Sequence, residues 1–214
     1  MPAATTYQYF TYMTPERYDR LVSVLNKRQN DLCIVLENVF DPHNISAVMR
    51  TCDAVGVQEI YVLNTKIPRH KKFGARSSSS AAKWLTVNQF TDAAACFAQL
   101  RSKYDRILTT HLSSDAVDLY SVDFAAGSIA LVFGNEHSGV SEEIRAMADG
   151  NFIIPQVGII RSLNISVACA VTLYEAKRQK MLAGHYDKRR MNGEQLEELL
   201  GQWKLQLEEP DTNA

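Results

Sequence analysis

The sequence predicts an α/β fold, a mostly parallel sheet with helices on both faces, and three observations carry that prediction. First, apolar runs of strand length alternate with segments of helical periodicity between residues 32 and 180, which is the pattern of a sheet covered on both sides. Second, S-I-A-L-V-F (128–133) and N-F-I-I-P (151–155) each run into a polar loop that opens a helix. Such junctions collect exposed backbone N–H groups at the ligand end of a parallel sheet. Third, 214 residues of 46% hydrophobic composition suffice for one well-buried domain and are a tight fit for two.

The elements follow in order. A polar arm dotted with Tyr7, Tyr9, Phe10 and Tyr12 precedes Thr14-Pro15, a cap with proline in the first turn. The helix expected from there to about Gln29 has Tyr18, Leu21, Val22 and Leu25 as its apolar stripe. L-C-I-V-L-E (32–37) reads as a buried strand, D-P-H-N as a turn, and Ile45, Val48, Met49, Cys52 and Val55 as a helix that Gly56 ends. The segment 59–63 is a second strand, 64–80 a loop and 81–84 a short helix. Thr91 is positioned to cap a helix reaching about Lys103, and strands follow at 106–110 and 128–133 with a polar crossover between them. Ser141 caps a short helix whose Glu142 and Glu143 suit its positive end. After the strand at 151–155, Ser162 opens the longest helix, to about Lys180, and an acidic amphipathic stretch runs from Glu194 to about Leu207. The divisions are therefore an arm and basic helix (1–30), a central domain (31–183) and a helical tail (184–214).

Composition excludes more than it assigns. A net charge of −1 offers no global attraction to nucleic acid, so any such contact must come from local patches. Cys33, Cys52, Cys96 and Cys169 are far apart and form no C-x-x-C pair, so no metal site and no disulfide framework is expected. Neither a signal peptide nor a membrane-spanning run is present in the sequence, and the expectation is a cytoplasmic protein. Gly134 and Gly139 have the spacing of a phosphate-binding loop, yet Val140 stands where that loop needs lysine. His137-Ser138 lies outside any G-x-S-x-G elbow, which removes the usual hydrolase reading.

Several polar residues have both a plain and a chemical role. Asn44 suits the cap of the helix at Ile45, and Ser162 and Asn164 suit the cap of the long helix. Arg50 lies off its helix's apolar stripe, six residues after Asn44, so the two point in different directions. Glu136 sits in the glycine-flanked loop, able to bind backbone N–H groups or to face a ligand. Lys66, Arg69, His70, Lys71, Lys72 and Arg76 form a basic loop that ends in four serines. With Arg17, Arg20, Lys27 and Arg28 of the first helix, that loop is the candidate surface for a phosphate backbone.

Three segments, E-N-V-F-D-P-H-N…R (37–50), F-G-N-E-H-S-G (133–139) and I-I-P…S-L-N (153–164), together resemble the motifs of the SpoU-type RNA ribose 2'-O-methyltransferases. The resemblance covers about residues 30–182 and implies a C-terminal deep trefoil knot, a homodimer and S-adenosyl-L-methionine as cofactor. It places the catalytic centre at Asn44, Arg50, Glu136, Ser162 and Asn164. For the cofactor it implies Thr109, Thr110, His111, Leu112, Phe133, Gly134, Asn135, Glu136, Ile153, Ile154, Ser162 and Leu163. Arg69, Lys71, Lys72 and Arg76, with the first-helix cations, fall where such enzymes meet RNA. Only 31 residues precede the Leu32 strand here, whereas members acting on ribosomal RNA commonly carry a separate N-terminal RNA-binding domain, so the expectation is a tRNA substrate. The arrangement is similar to members that methylate the D-loop guanosine of tRNA at position 18, with anticodon-loop enzymes, ribosomal RNA enzymes and a catalytically silent RNA-binding relative as alternatives. Whether Arg50 is a base or a stabiliser of phosphate and alkoxide stays open at this point.

Overall fold

A computed structural model describes residues 14–70, 81–135, 137–160 and 162–203. Helix α1 (Pro15–Asn26) leads into β1 (Gln29–Glu37), α2 (Pro42–Val55) and β2 (Val57–Leu63). After a 3-10 turn at Ala81–Lys83 come β3 (Thr86–Phe90), α3 (Ala93–Arg101), β4 (Arg106–Thr110) and β5 (Val117–Asp118). The chain closes with β6 (Ile129–Phe133), α4 (Glu142–Met147), β7 (Gly150–Ile153), α5 (Ile165–Leu182) and α6 (Gly193–Gln202). Among the described residues the seven strands form one sheet in the order β3-β2-β1-β6-β4-β7-β5, every pairing parallel.

Alternate side chains of β1 build the two faces. Leu32, Ile34 and Leu36 join Ile45, Met49 and Cys52 of α2 and Cys169, Leu173 and Ala176 of α5 in one core. Cys33 and Val35 point the other way, to Cys96, Phe97 and Leu100 of α3 and Ile144 of α4. That period of two against helical stripes is why β1 reads as an unbroken apolar run. A third, smaller cluster joins α1 to α6, with Leu25 of α1, Leu199 of α6, Met191 and Trp203 packed together and Trp84 edge-on to Trp203. All four cysteines are buried free thiols, and no helix among the described residues is long and apolar enough to cross a membrane.

Several boundaries differ from the sequence reading. Asp41 rather than Asn44 caps α2, accepting from the His43 N–H at 2.8 Å, because Pro42 starts the helix two residues before Asn44. Asp92, not Thr91, caps α3, and α5 begins at Ile165 under Asn164, three residues beyond Ser162. Helix α1 stops at Asn26, and β1 takes Gln29 through Asp31. Strand β3 is an addition to the sequence reading: T-V-N-Q-F is a half-buried edge, with polar residues at three of its five positions. The two-residue β5, both of whose residues are exposed, lies inside what reads as a polar crossover.

Candidate functional site

The chain returns to the same edge of the sheet each time a strand ends, and the loops after β4, β6 and β7 enclose a cleft of about 720 Å³. Its wall is made by Thr110, His111 and Leu112, by Phe133, Gly134 and Asn135, and by Ile153 through Gly158 with Ser162 and Leu163. The loop after β6 folds on itself, with Asn135 bridging Gly139 and the Gly139 N–H donating to the Asn135 carbonyl at 3.1 Å. A Cβ on Gly134 would fall 1.9 Å from the Gly139 carbonyl carbon, so the return requires glycine there. Gly139 takes φ +66, the left-handed region that glycine enters without penalty. The Asn135 Oδ1 accepts from the N–H groups of His137 (2.9 Å) and Ser138 (2.8 Å), closing a turn.

Two long-range contacts tie this loop and the long helix to the segment after β1. Glu37, buried at the end of β1, accepts from the Ser141 N–H at 2.9 Å and so holds the start of α4. Asn164 caps α5 through its Oδ1, which accepts from the Ser166 N–H at 2.8 Å, while its Nδ2 donates to the Asn44 Oδ1 at 3.2 Å. Segments 120 residues apart thus meet beside the cleft, and capping coexists with a contact between two expected catalytic residues. Arg50 is exposed on α2, a turn and a half beyond Asn44, and does not line the cleft.

The remaining expected residues are placed as follows. Thr109 is buried within β4, its hydroxyl donating to the Gly150 carbonyl, and so does not reach the cleft wall. Arg17, Arg20 and Lys27 are exposed on or beside α1, and Arg69 is exposed with Nη2 donating to the Gln89 carbonyl at 3.3 Å. Arg28 is a correction: its guanidinium is buried, 2.7 Å from Asp53 and stacked on Trp203, so it cannot meet a phosphate. Burial lowers its pKa against the pull of Asp53. Glu136, Lys71, Lys72 and Arg76 lie outside the described residues. His137, Gly139, Phe152, Ile165 and Ala168 also line the cleft, and Arg145 contacts its wall at His111. Of these, Gly139 is visible in the sequence as turn chemistry, whereas Arg145 reads as an ordinary helix-surface charge.

A cleft at the carboxyl ends of parallel strands, walled by glycine turns without a phosphate-loop lysine, defines an α/β protein that binds its ligand in the crevice its loops form. The model of the SpoU rRNA Methylase family matches residues 31–174. The tRNA (guanosine(18)-2'-O)-methyltransferase of Thermus thermophilus is 41% identical over 192 residues, 89% of this chain and 96% of that one. The Escherichia coli enzyme of the same name is 40% identical over 81% of this chain and 75% of its own. The crystal structure of the A. aeolicus TrmH/SpoU tRNA modifying enzyme superposes with a TM-score of 0.80 at 36% identity, covering 88% and 94% of the two chains. The chain belongs to the SpoU methylase family.

Proposed function

We propose that this protein transfers a methyl group from S-adenosyl-L-methionine to the ribose 2'-oxygen of the tRNA D-loop guanosine at position 18. The observation that carries the reading is that two separated segments line one cleft and a third, 37–50, is joined to them by the Asn164–Asn44 and Ser141–Glu37 hydrogen bonds. The relatives' names, at 36–41% identity over most of the chain, support the substrate.

The residues fit the cofactor. A cleft of about 720 Å³ suits a nucleoside-sized ligand, with Leu112, Ile153, Ile154 and Leu163 for an apolar ring and Thr110, His111, Asn135 and Ser162 for polar groups. The bound cofactor would supply an electrophilic methyl group. A ribose hydroxyl is a poor nucleophile until its proton is removed or its developing charge is stabilised. A guanidinium offers only donors and a fixed positive charge, so the role of Arg50 is to hold the neighbouring phosphate and to stabilise the alkoxide. Asn44 and Asn164 orient one another beside the cleft, and Ser162 lines its polar edge; Glu136 keeps the catalytic role that the family resemblance gives it.

The same reading includes the trefoil knot and the homodimer. Strand β7 pairs with β4, yet α5 packs on α2 on the far side of β4 and β6, and this return of the chain between β7 and α5 supports threading there. Val157, Ile159 and Ile160 are exposed at 107%, 99% and 75%, an apolar surface that a second copy covers. Arg17, Arg20, Lys27, Arg69, Lys71, Lys72 and Arg76 meet the RNA backbone, and the enzyme works with its tRNA in the cytoplasm.

The test incubates the protein with unmodified tRNA and labelled cofactor and maps the methylated nucleotide. Label at the D-loop guanosine, lost when that guanosine is replaced, is expected; label in the anticodon loop overturns the substrate assignment. Arg50→Ala should lower single-turnover methyl transfer by about a hundredfold while cofactor affinity is kept. Parental rates in that variant return Arg50 to an ordinary surface cation.

A further inference from the structure

His111 lines the cleft just beyond β4, and its Nε2 lies 2.8 Å from Nη1 of Arg145 on α4. A guanidinium has only donors and keeps its charge. Nε2 is therefore the acceptor in this contact, and the ring proton sits on Nδ1. Among the described residues no hydrogen bond engages Nδ1.

The donor side is fixed in place. Helix α4 starts at Ser141, whose N–H is held by the buried Glu37 and whose hydroxyl accepts from the Ile144 N–H, so Arg145 projects from a tethered turn. The Arg145 Nε is itself buried and has no hydrogen-bond partner among the described residues. A further charge acts on the ring, that of Asp115, whose carboxylate accepts from the Ser113 hydroxyl. The cleft edge thus carries a permanent cation relayed through an imidazole and, beside it, an anion.

We infer that Arg145 is a positioning residue that locks His111 as an Nδ1–H donor, and that this pair recognises the carboxylate at the amino-acid end of the cofactor. The inference rests on the reading that S-adenosyl-L-methionine occupies this cleft. An N–H polarised by a hydrogen-bonded guanidinium gains most from an anionic acceptor, whereas a neutral adenine nitrogen gains less.

Calorimetry with S-adenosyl-L-methionine and its decarboxylated form tests the pair on the intact protein. The wild type should favour the carboxylated compound by about tenfold. Arg145→Met should reduce that preference to near unity, leaving affinity for the decarboxylated compound unchanged as an internal measure of folding. Arg145→Lys should restore part of it. Nitrogen-15 spectra of the His111 ring should show a bare Nε2 in the wild type and lose that signature in Arg145→Met. Equal wild-type affinity for the two compounds, or an undiminished preference in Arg145→Met, overturns the assignment. Failure of the wild type to bind either compound overturns the cofactor reading itself, and the pair's role with it.

Discussion

The two edges of the parallel sheet are held together by different forces. Helices α2 and α5 lie side by side, and both begin near the cleft, where their mutual tether is a neutral amide pair, Asn164 to Asn44 at 3.2 Å. The other long-range tie there is the hydrogen bond from the Ser141 N–H to Glu37. Where the same helices end, the ties are ionic. Arg28 pairs with Asp53 of α2 at 2.7 Å, and Lys180 of α5 pairs with Asp31 of β1 at 2.7 Å, with Arg190 a second cation at 3.3 Å. The Tyr186 hydroxyl adds a 2.6 Å bond to the Val55 carbonyl at the end of α2. Buried charges are costly to separate once paired, so the edge away from the cleft is the mechanical base. The cleft edge is tied instead by hydrogen bonds, one of them to the Glu37 carboxylate, and it leaves apolar residues exposed, which fits the proposed ligand and partner surfaces.

The comparison breaks most visibly at Gly134. A methyl group there falls 1.9 Å from the Gly139 carbonyl carbon and 2.1 Å from the Val140 nitrogen, both backbone atoms that cannot swing away. Gly134→Ala should cost about 3 kcal/mol of loop distortion, about a hundredfold in cofactor affinity. The ionic edge should be unaffected, so amide exchange near Asp31 and Lys180 should remain at parental rates. Full cofactor affinity in this variant would mean that the loop is not part of the binding surface.

Lys180→Met probes the opposite edge. Its side chain is 1% exposed and Asp31 only 15% exposed, so truncation leaves a carboxylate with Arg190 as its remaining cation. Breaking a buried pair costs about 3–5 kcal/mol, and the residual Arg190 contact should reduce this to about 2 kcal/mol in urea unfolding. Cofactor affinity measured on the folded protein should not change. A loss of affinity equal to the loss of stability would show that the two edges are not separable.

These two edges also differ in how far they can be read from sequence. Strand β1, the glycine turn at 134–139 and the short helix after Ser141 are local patterns, and the fold keeps them. The two-faced parallel sheet follows from alternation of elements, and the structure has it. Arg28 reads as one more surface cation because its environment is assembled from afar: Asp53, Trp84 and Trp203 reach it from three distant segments. Lys180 carries the same lesson: the sequence marks it only as the approximate end of the longest helix, and its side chain lies buried. Asn44 reads as a cap because Ile45 starts the apolar repeat, yet Pro42 already fits the first turn and moves the cap to Asp41.

Asn164 sharpens the comparison with a smaller effect, since one side chain performs two tasks. Asn164→Ala removes both the cap and the donor to Asn44, and should cost about 1 kcal/mol of stability together with a loss of methyl transfer. Asn164→Asp keeps the accepting oxygen and removes the Nδ2 donor, so stability should return while activity does not. Recovery of both would leave Asn164 as a cap alone.

The smallest expected effect lies at the ionic edge and is read by pH. His185 has its Nδ1 3.5 Å from the Lys180 ammonium and 3.7 Å from the Asp31 carboxylate, with Arg190 on the same carboxylate. Burial, then the charges of Lys180 and Arg190, lower its pKa below 6.5, and Asp31 only partly opposes them. Between the folded and unfolded values the unfolded chain binds more protons, so stability increases with pH across that window and falls as pH drops from 6.5. Two carboxylates with lowered pKa values do not mask the effect. The Ser128 N–H and hydroxyl hold Asp105 below its usual range, as the Arg178 guanidinium holds Glu175, so both titrate at lower pH. The urea midpoint should therefore decline modestly between about pH 7.5 and 5.5, with amides of residues 184–187 exchanging faster before those of β6. His185→Gln should flatten this dependence. A decline of the same size in His185→Gln would assign the proton uptake elsewhere and remove His185 from the set of groups that hold this edge.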